Sequence, residues 1–207
     1  MKNTLIIIGA GGHGKVVADI ALKMNKWEEI YFLDNNDSLE FVLGIKVIGR
    51  TSDYKKYISH SDMFVAIGDN KVREKIMEEM EGFGVSIPIL IHQSTNIGIG
   101  VNINIGTVLM AGAIVNSDTM IGKGCIINTG VNIDHETIIS NYSHISPGAN
   151  LAGNVHIGYR TWVGIGCTIS NNINITKDCI IGAGSLVIKN INESGIYFGS
   201  PTNKIQE

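Results

Sequence analysis

The chain has 207 residues and a formal net charge of −3, so one large or two small domains are expected and no basic surface of the kind nucleic acid demands is present. No apolar run approaches the ~20 residues a membrane span needs. The apolar start, Leu5-Ile6-Ile7-Ile8, lacks the long core and small-residue cleavage site of a signal peptide, and a soluble cytoplasmic protein is expected.

Residues 1–92 read as alternating β and α elements. Leu5 to Ile8 is a buried strand, Gly9-Ala10-Gly11-Gly12-His13-Gly14 a turn, and Val16, Val17, Ile20, Ala21 and Met24 recur at helical spacing. Ile30 to Leu33 is a second strand ending at Asp34, and Met63 to Ile67 a third. After Gly68-Asp69-Asn70, Val72, Ile76 and Met80 mark a second helix that stops near Gly82 and Gly84. Ile87 to Ile91 reads as a last strand. This alternation predicts a small Rossmann-like parallel sheet with helices on both faces. The glycine turn fits G-x-G-x-x-G between a strand and a helix, where backbone N–H groups can meet a phosphate. Asp34, ending the next strand, is placed to accept from a ribose hydroxyl. About 90 residues make only half a full dinucleotide fold, which argues against NAD. Gly9 to Lys15 also opens like a P-loop, but Val16 stands where magnesium needs Ser or Thr. A sugar nucleotide and a bare tight turn remain open.

Residues 93–207 follow another rule. From Ile97 to Val187 an Ile, Leu or Val stands at every sixth residue, sixteen times in succession. Four places later in each hexad comes a small or apolar residue, such as Thr107, Ala113, Cys125, Thr137 or Ser143. Hexad repeats of this kind specify a parallel β-helix, three hexads to a triangular coil. A buried helix would repeat near 3.6 and an ordinary half-buried strand at 2. Gly and Asn inside the hexads suit the tight corners. From about Glu193 the period fails, and Gly199-Ser200-Pro201 belongs to a tail expected to cover the open end of the stack. Cys125, Cys167 and Cys179 all occupy the small position, which predicts buried thiols; Cys125 and Cys179 lie three coils apart on one face, too far for a disulfide.

Asp134-His135-Glu136 is the densest polar cluster of the repeats and falls on outward positions. A histidine held by a carboxylate suits a general base; a solvated triplet is the plain alternative. His144 and His156 share the sixth hexad position, but His135 is in a different phase, so the three match a zinc site poorly.

Taken together, these features resemble the sugar O-acyl- and N-acetyltransferases of the sialic acid O-acetyltransferase type, and within them the UDP-4-amino-sugar N-acetyltransferases of bacillosamine-type pathways. The resemblance rests on Gly9 to Gly14, Phe32-Leu33-Asp34, Ala66 to Asn70, Asn128-Thr129, His135-Glu136, Ser143-His144, Ala152 to Val155 and Gly199-Ser200-Pro201. It implies a left-handed β-helix, acetyl-CoA as acetyl donor without a metal, and a homotrimer with acetyl-CoA in clefts between subunits. His135 corresponds to the base, Glu136 to its orienting carboxylate, and Gly153 to a backbone N–H that polarises the thioester. Asn128, His144, Gly153, Gly166 and Ala183 match acetyl-CoA positions. Gly11, Gly12, His13, Gly14, Asp34, Asn35 and Asp69 match the sugar-nucleotide site. Asp134 stands where relatives often have Glu, and Asn35 where many have a second Asp. The expected reaction is N-acetylation of a UDP-linked 4-amino-4,6-dideoxy sugar by direct attack on the thioester. The alternatives are O-acetylation of a sugar of the sialic acid type and a non-catalytic trimeric β-helix that senses sugar nucleotides. The unbroken hexads leave no inserted loop to hold the acceptor, so that task falls to the N-terminal domain.

Overall fold

A computed structural model describes residues 2–205; Met1, Gln206 and Glu207, the outermost positions of the two expected domains, lie outside the described residues. The chain divides into two compact units, Met1–Gln93 and Ser94–Glu207.

In the first unit, β1 (Thr4–Ile8) lies between β2 (Glu29–Leu33) and β5 (Ser61–Val65), parallel to both. Leu5 to Ile8 are buried completely, as expected of a central parallel strand covered on both faces. Helix α1 (Gly12–Met24) buries Val17, Ala18, Ile20 and Ala21 and ends on Asn25 in the left-handed conformation. Helix α2 (Asn70–Gly82) begins at Asp69, whose carboxylate accepts from the Val72 N–H at 2.8 Å. Two boundaries differ from the sequence reading. The strand expected over Met63–Ile67 occupies Ser61–Val65, and the one expected over Ile87–Ile91 shrinks to β6 (Leu90–Ile91) with an isolated bridge from Ser86 to Asp62. Between β2 and β5 lie a short hairpin, β3 (Phe41–Val42) and β4 (Ile45–Lys46), and a 3₁₀ helix over Thr51–Tyr57.

The second unit is a parallel β-helix whose two-residue strands pair with strands 18 residues away, as Ile114 with Asn132 and Ile126 with His144. A first face carries the strands at 96–97, 114–115, 132–133, 150–151, 168–169 and 186–187. A second carries those at 102–103, 120–121, 138–139, 156–157 and 174–175, and a third those at 108–109, 126–127, 144–145, 162–163 and 179–181. The inward aliphatic residues from Leu109 to Val187 are all buried, while Ile97 on the first coil keeps 38 % exposure. The small hexad position has its own logic. Thr107, Thr119, Ser143 and Thr161 are buried, and each hydroxyl donates to a carbonyl 15 residues on, at 2.7, 3.2, 3.0 and 2.9 Å respectively. At these positions a hydroxyl inside the stack is tolerated because it meets that carbonyl. All three cysteines occupy this position, free and buried. The tail extends the third face: Gly195–Gly199 pairs in parallel with 179–181, and Thr202–Lys204 folds back antiparallel.

Candidate active site

Eighteen residues per coil place identical hexad positions one above another at the corners. One corner column runs Ser117, His135, Gly153, Asn171, and the next Gly100, Asp118, Glu136, Asn154, Asn172. The second column is left-handed throughout the coils that bear on the site: φ is 77° at Gly100, 58° at Asp118, 57° at Glu136, 55° at Asn154 and 60° at Asn172. Gly, Asp and Asn accept that conformation readily and Glu does not. Glu136 is therefore the one costly choice in its column. Its carboxylate meets His135, Nδ1 to Oε2 at 3.0 Å, with both side chains more than half exposed. The contact assigns the Nδ1 proton to the glutamate side and leaves Nε2 as the acceptor.

The ring lies over Gly153. A Cβ built on Gly153 would stand 2.6 Å from both Cε1 and Nε2 of His135, so only glycine leaves room for the imidazole there. Gly153 gives its carbonyl to the Asn172 N–H at 3.0 Å, while its own N–H donates to no acceptor among the described residues. Asp134 supports the corner: it accepts from Asn116 Nδ2 and from the His135 N–H, both at 2.9 Å, and these bonds hold its carboxyl below the usual range, the Asn116 bond most.

Of the residues matched to acetyl-CoA, Gly153 lies under His135, and the others sit elsewhere on the same chain. Asn128 Nδ2 meets His144 Nε2 at 3.2 Å. The His144 ring stacks on Trp162 with planes 4° apart and centroids 5.6 Å apart, and Trp162 Nε1 donates to Ser146 Oγ at 2.7 Å. Trp162 and Ser146 were not singled out from the sequence, yet each stands 18 residues from a matched position, and that spacing would have found them. Gly166 and Ala183 lie at the corner between the third and first faces, Gly166 left-handed at φ 64°. His135, Glu136 and Gly153 lie at the following corner, between the first and second faces. The chain therefore joins the base, its carboxylate and Gly153 in one cluster but leaves the Asn128–His144 cluster a whole face away. His156 is on the second face, near Ser140 Oγ at 3.4 Å. Among the described residues no group of three His, Cys, Asp or Glu side chains is placed to hold a metal.

The first unit holds the other predicted positions. Gly11 caps α1 without a side-chain bond, the first turn carries no acidic residue, and a Cβ at Gly11 or Gly12 would touch nothing within 4 Å. The helix N-terminus is thus open, and its N–H groups suit an anion. Gly14 has a packing reason: any Cβ there would collide with the Gly9 carbonyl. Asp34 is already engaged, its two oxygens accepting from the Ala10 and Asn36 N–H groups at 2.7 and 2.8 Å. Asn35 accepts from the Thr51 N–H at 3.2 Å, and Asp69 is the cap of α2. His13 is largely buried with Nε2 bonded to nothing among the described residues. Burial first, and the Arg73 cation second, lower its pKa from 6.5 to about 4. Arg73 is itself buried and donates to the carbonyls of Ile67 and Gly68 and to Asn70 Oδ1. It brings a fixed positive charge near the glycine turn that the sequence reading did not include.

A hexad β-helix with a histidine–carboxylate pair on an outer corner has the architecture of the acyltransferase class expected from the sequence. Comparison with known proteins agrees. Residues 4–80 match the family model of the PglD N-terminal domain. The chain is 33 % identical to the acetyltransferase domain of PglB from Neisseria gonorrhoeae FA1090 in complex with acetyl coenzyme A, over 99 % of this chain and 100 % of that one, with a TM-score of 0.96. It is 32 % identical to a mutant of perosamine N-acetyltransferase from Caulobacter crescentus in complex with CoA and GDP-perosamine, over 99 % of this chain and 97 % of that one, with a TM-score of 0.94. WeeI from Acinetobacter baumannii AYE is 27 % identical over 98 % and 99 % of the two chains, with a TM-score of 0.89. The chain also matches uncharacterized protein L142 of Acanthamoeba polyphaga mimivirus, 43 % identical over 72 residues; these are 35 % of this chain but only 14 % of the length of that curated relative. The chain belongs to the family of PglD-type, acetyl-CoA-dependent sugar acetyltransferases.

Proposed function

We propose that this chain transfers the acetyl group of acetyl-CoA to the 4-amino group of a UDP-linked 4-amino-4,6-dideoxy sugar. The observation that carries the proposal is the His135–Glu136 pair, 3.0 Å apart, with the imidazole seated over Gly153. The amine attacks the thioester carbonyl, the C–N bond forms, and the C–S bond breaks to release the CoA thiol. His135 Nε2 accepts the amine's proton, Glu136 stabilises the imidazolium, and the imidazolium returns the proton to the departing thiolate so that CoA leaves as the thiol. The free Gly153 N–H is the donor for the tetrahedral oxyanion. A covalent acyl-enzyme has no good nucleophile, because all three thiols are buried and burial pushes those of Cys167 and Cys179 up. Direct transfer with both substrates held together follows.

The separation of the two clusters supports a closed trimer. Asn128, His144, Gly166 and Ala183 reach a His135 only if a neighbouring copy presents its first-to-second-face corner beside them, which three-fold packing of three-faced helices provides. The open N-terminus of α1, with Arg73 behind it, supports a diphosphate as the handle of the acceptor. No helix among the described residues is long and apolar enough to cross a membrane. Both substrates are cytoplasmic metabolites, which supports a cytoplasmic location.

One second reading has an observation behind it. The perosamine N-acetyltransferase it resembles was crystallised with GDP-perosamine, which favours GDP as the nucleotide. A thiol-release assay with acetyl-CoA tests both against UDP-linked and GDP-linked 4-amino sugars, the free amino sugar and sialic acid. Turnover of the UDP-linked amine is expected, and preference for the GDP-linked one establishes the second reading. Equal turnover of the free amino sugar contradicts the nucleotide handle, and good turnover of sialic acid contradicts N-acetylation.

A further inference from the structure

The second face of the β-helix ends in a cleft that the acetyl-transfer chemistry does not use. Its volume is about 400 Å³, in the ordinary range of small-molecule sites, and its polar lining is Ser140, His156, Asn174, Thr176, Lys177 and Asn192.

The walls follow from a change of count. Up to Asn174, each strand of this face pairs with the one 18 residues before it, His156 with Ile138 and Asn174 with His156. The last coil is two residues short: Ile175 bridges to Ile191 and Cys179 pairs with Gly195, each 16 residues on. The Asn174 N–H loses its ladder carbonyl to that cut and donates instead to Asn190 Oδ1 at 2.9 Å. Ile191 takes the inward aliphatic place and is buried; its N–H donates to the Asn174 carbonyl at 2.9 Å, and its carbonyl accepts from the Thr176 N–H at 2.8 Å. Asn192 thereby joins the corner column of Ser140, Gly158 and Thr176. That column is tight, since a Cβ on Gly158 would collide with the Thr176–Lys177 backbone. Lys177 is thus rooted on fixed backbone at the rim.

The chemistry of the lining is one-sided. The chain has a net charge of −3, yet no Asp or Glu lines this cleft. The acidic residues next to it in sequence are engaged: Asp178 accepts both arms of Arg160 at 2.8 and 3.0 Å, and Glu193 meets Lys204 at 2.9 Å. Lys177 enters no ion pair among the described residues, so its charge is left to the cleft. His156 Nε2 lies 3.4 Å from Ser140 Oγ. The neutral pair has one N–H and one O–H and spends one of them between the two side chains, so one donor remains in either tautomer. Asn174, Thr176 and Asn192 add amide and hydroxyl donors. A compact cation among neutral donors, with no competing carboxylate, suits an oxyanion of high charge.

We infer that this cleft binds a phosphate dianion, with the Lys177 ammonium as counter-charge and the His156–Ser140 pair as donor. Two sources carry that group: inorganic phosphate, and the 3′-phosphate of acetyl-CoA, the one monoester in the acetyl donor. The second source rests on the reading that acetyl-CoA lies in clefts between subunits, because the second face adjoins the corner that bears His135; the first source does not.

Calorimetry on the full chain tests it, with inorganic phosphate, acetyl-CoA and acetyl-dephospho-CoA, which lacks the 3′-phosphate, titrated into wild type, Lys177→Ala and Lys177→Arg. With the donor as source, wild type binds acetyl-CoA about tenfold more tightly than the dephospho form, Lys177→Ala abolishes that gap, and Lys177→Arg keeps it. With free phosphate as source, the two CoA forms bind alike, while phosphate affinity falls about tenfold in Lys177→Ala and returns in Lys177→Arg. Either result supports the site and fixes its ligand. A Lys177→Ala protein that keeps both the phosphate affinity and the wild-type gap overturns the inference, as does an equal loss of both CoA forms with phosphate affinity unchanged. A wild type with no gap and no phosphate binding overturns it too, while its binding of acetyl-CoA leaves the acetyl-transfer reading standing.

Discussion

Gly153→Ala separates chemistry from stability at a single atom. The added Cβ would lie 2.6 Å from Cε1 and Nε2 of His135, whereas unstrained carbon contacts begin near ~3.5 Å. The imidazole must therefore move by about 1 Å, and a misplacement of that size can cost on the order of 10²-fold in rate. In free energy that is about 2.7 kcal/mol of transition-state stabilisation. Folding should hardly notice. The ring is more than half exposed and can swing into solvent, and Gly153 is not among the left-handed glycines, so alanine fits its backbone. We expect kcat to fall about a hundredfold in a thiol-release assay at saturating acetyl-CoA, with the unfolding free energy within about 1 kcal/mol of wild type. Near wild-type kcat would refute the seating of the ring over Gly153 as a working geometry. Joint loss of folding and activity would refute the claim that the contact serves only the imidazole.

Two further outcomes follow from the same structure. Glu136→Asn relieves a left-handed glutamate, so the protein should gain up to about 1 kcal/mol in denaturant melts while kcat falls by less than on losing His135; a destabilised variant would contradict the strain at φ 57°. His13 is the acid-sensitive group of the first unit: unfolded it takes a proton near pH 6.5, folded only near about 4, so the unfolded chain holds more protons between those values. Stability from neutral His13 is fully present above pH 6.5 and lost as pH falls toward 4, by up to about 3 kcal/mol. Denaturant midpoints from pH 7.5 to 4.5 should fall more steeply in wild type than in His13→Asn, and parallel curves would contradict the assignment.

The β-helix was legible because every coil solves the same problem with the same residues. An inward aliphatic at each sixth place and a hydroxyl, thiol or methyl four places on are both demanded by the stack, and both survive in the sequence as a count. The site was legible only in part. His135 and Glu136 stood out as a polar cluster, but the reason for Gly153 is its place one coil below His135, visible only when 18 is added to 135. Trp162 under His144 escaped notice for want of the same step. The hairpin at Phe41–Lys46 left no periodic trace at all, since two-residue strands carry no pattern, and its turn places Leu43, a residue that disfavours the left-handed region, at φ 54°. The boundary of β5 shifted because Ile67, apolar in sequence, belongs to the loop whose carbonyls Arg73 holds.

The central claim is that His135 takes the proton of an amine attacking acetyl-CoA. The most direct measurement is single-enzyme turnover of the UDP-linked 4-amino sugar by wild type and His135→Ala, following both thiol release and the mass of the sugar product. The account predicts an N-acetylated nucleotide sugar from wild type and a loss on the order of 10²-fold or more in kcat for the variant, with its fold and its acetyl-CoA KM unchanged. A His135→Ala protein that makes the same product at near wild-type kcat would contradict it.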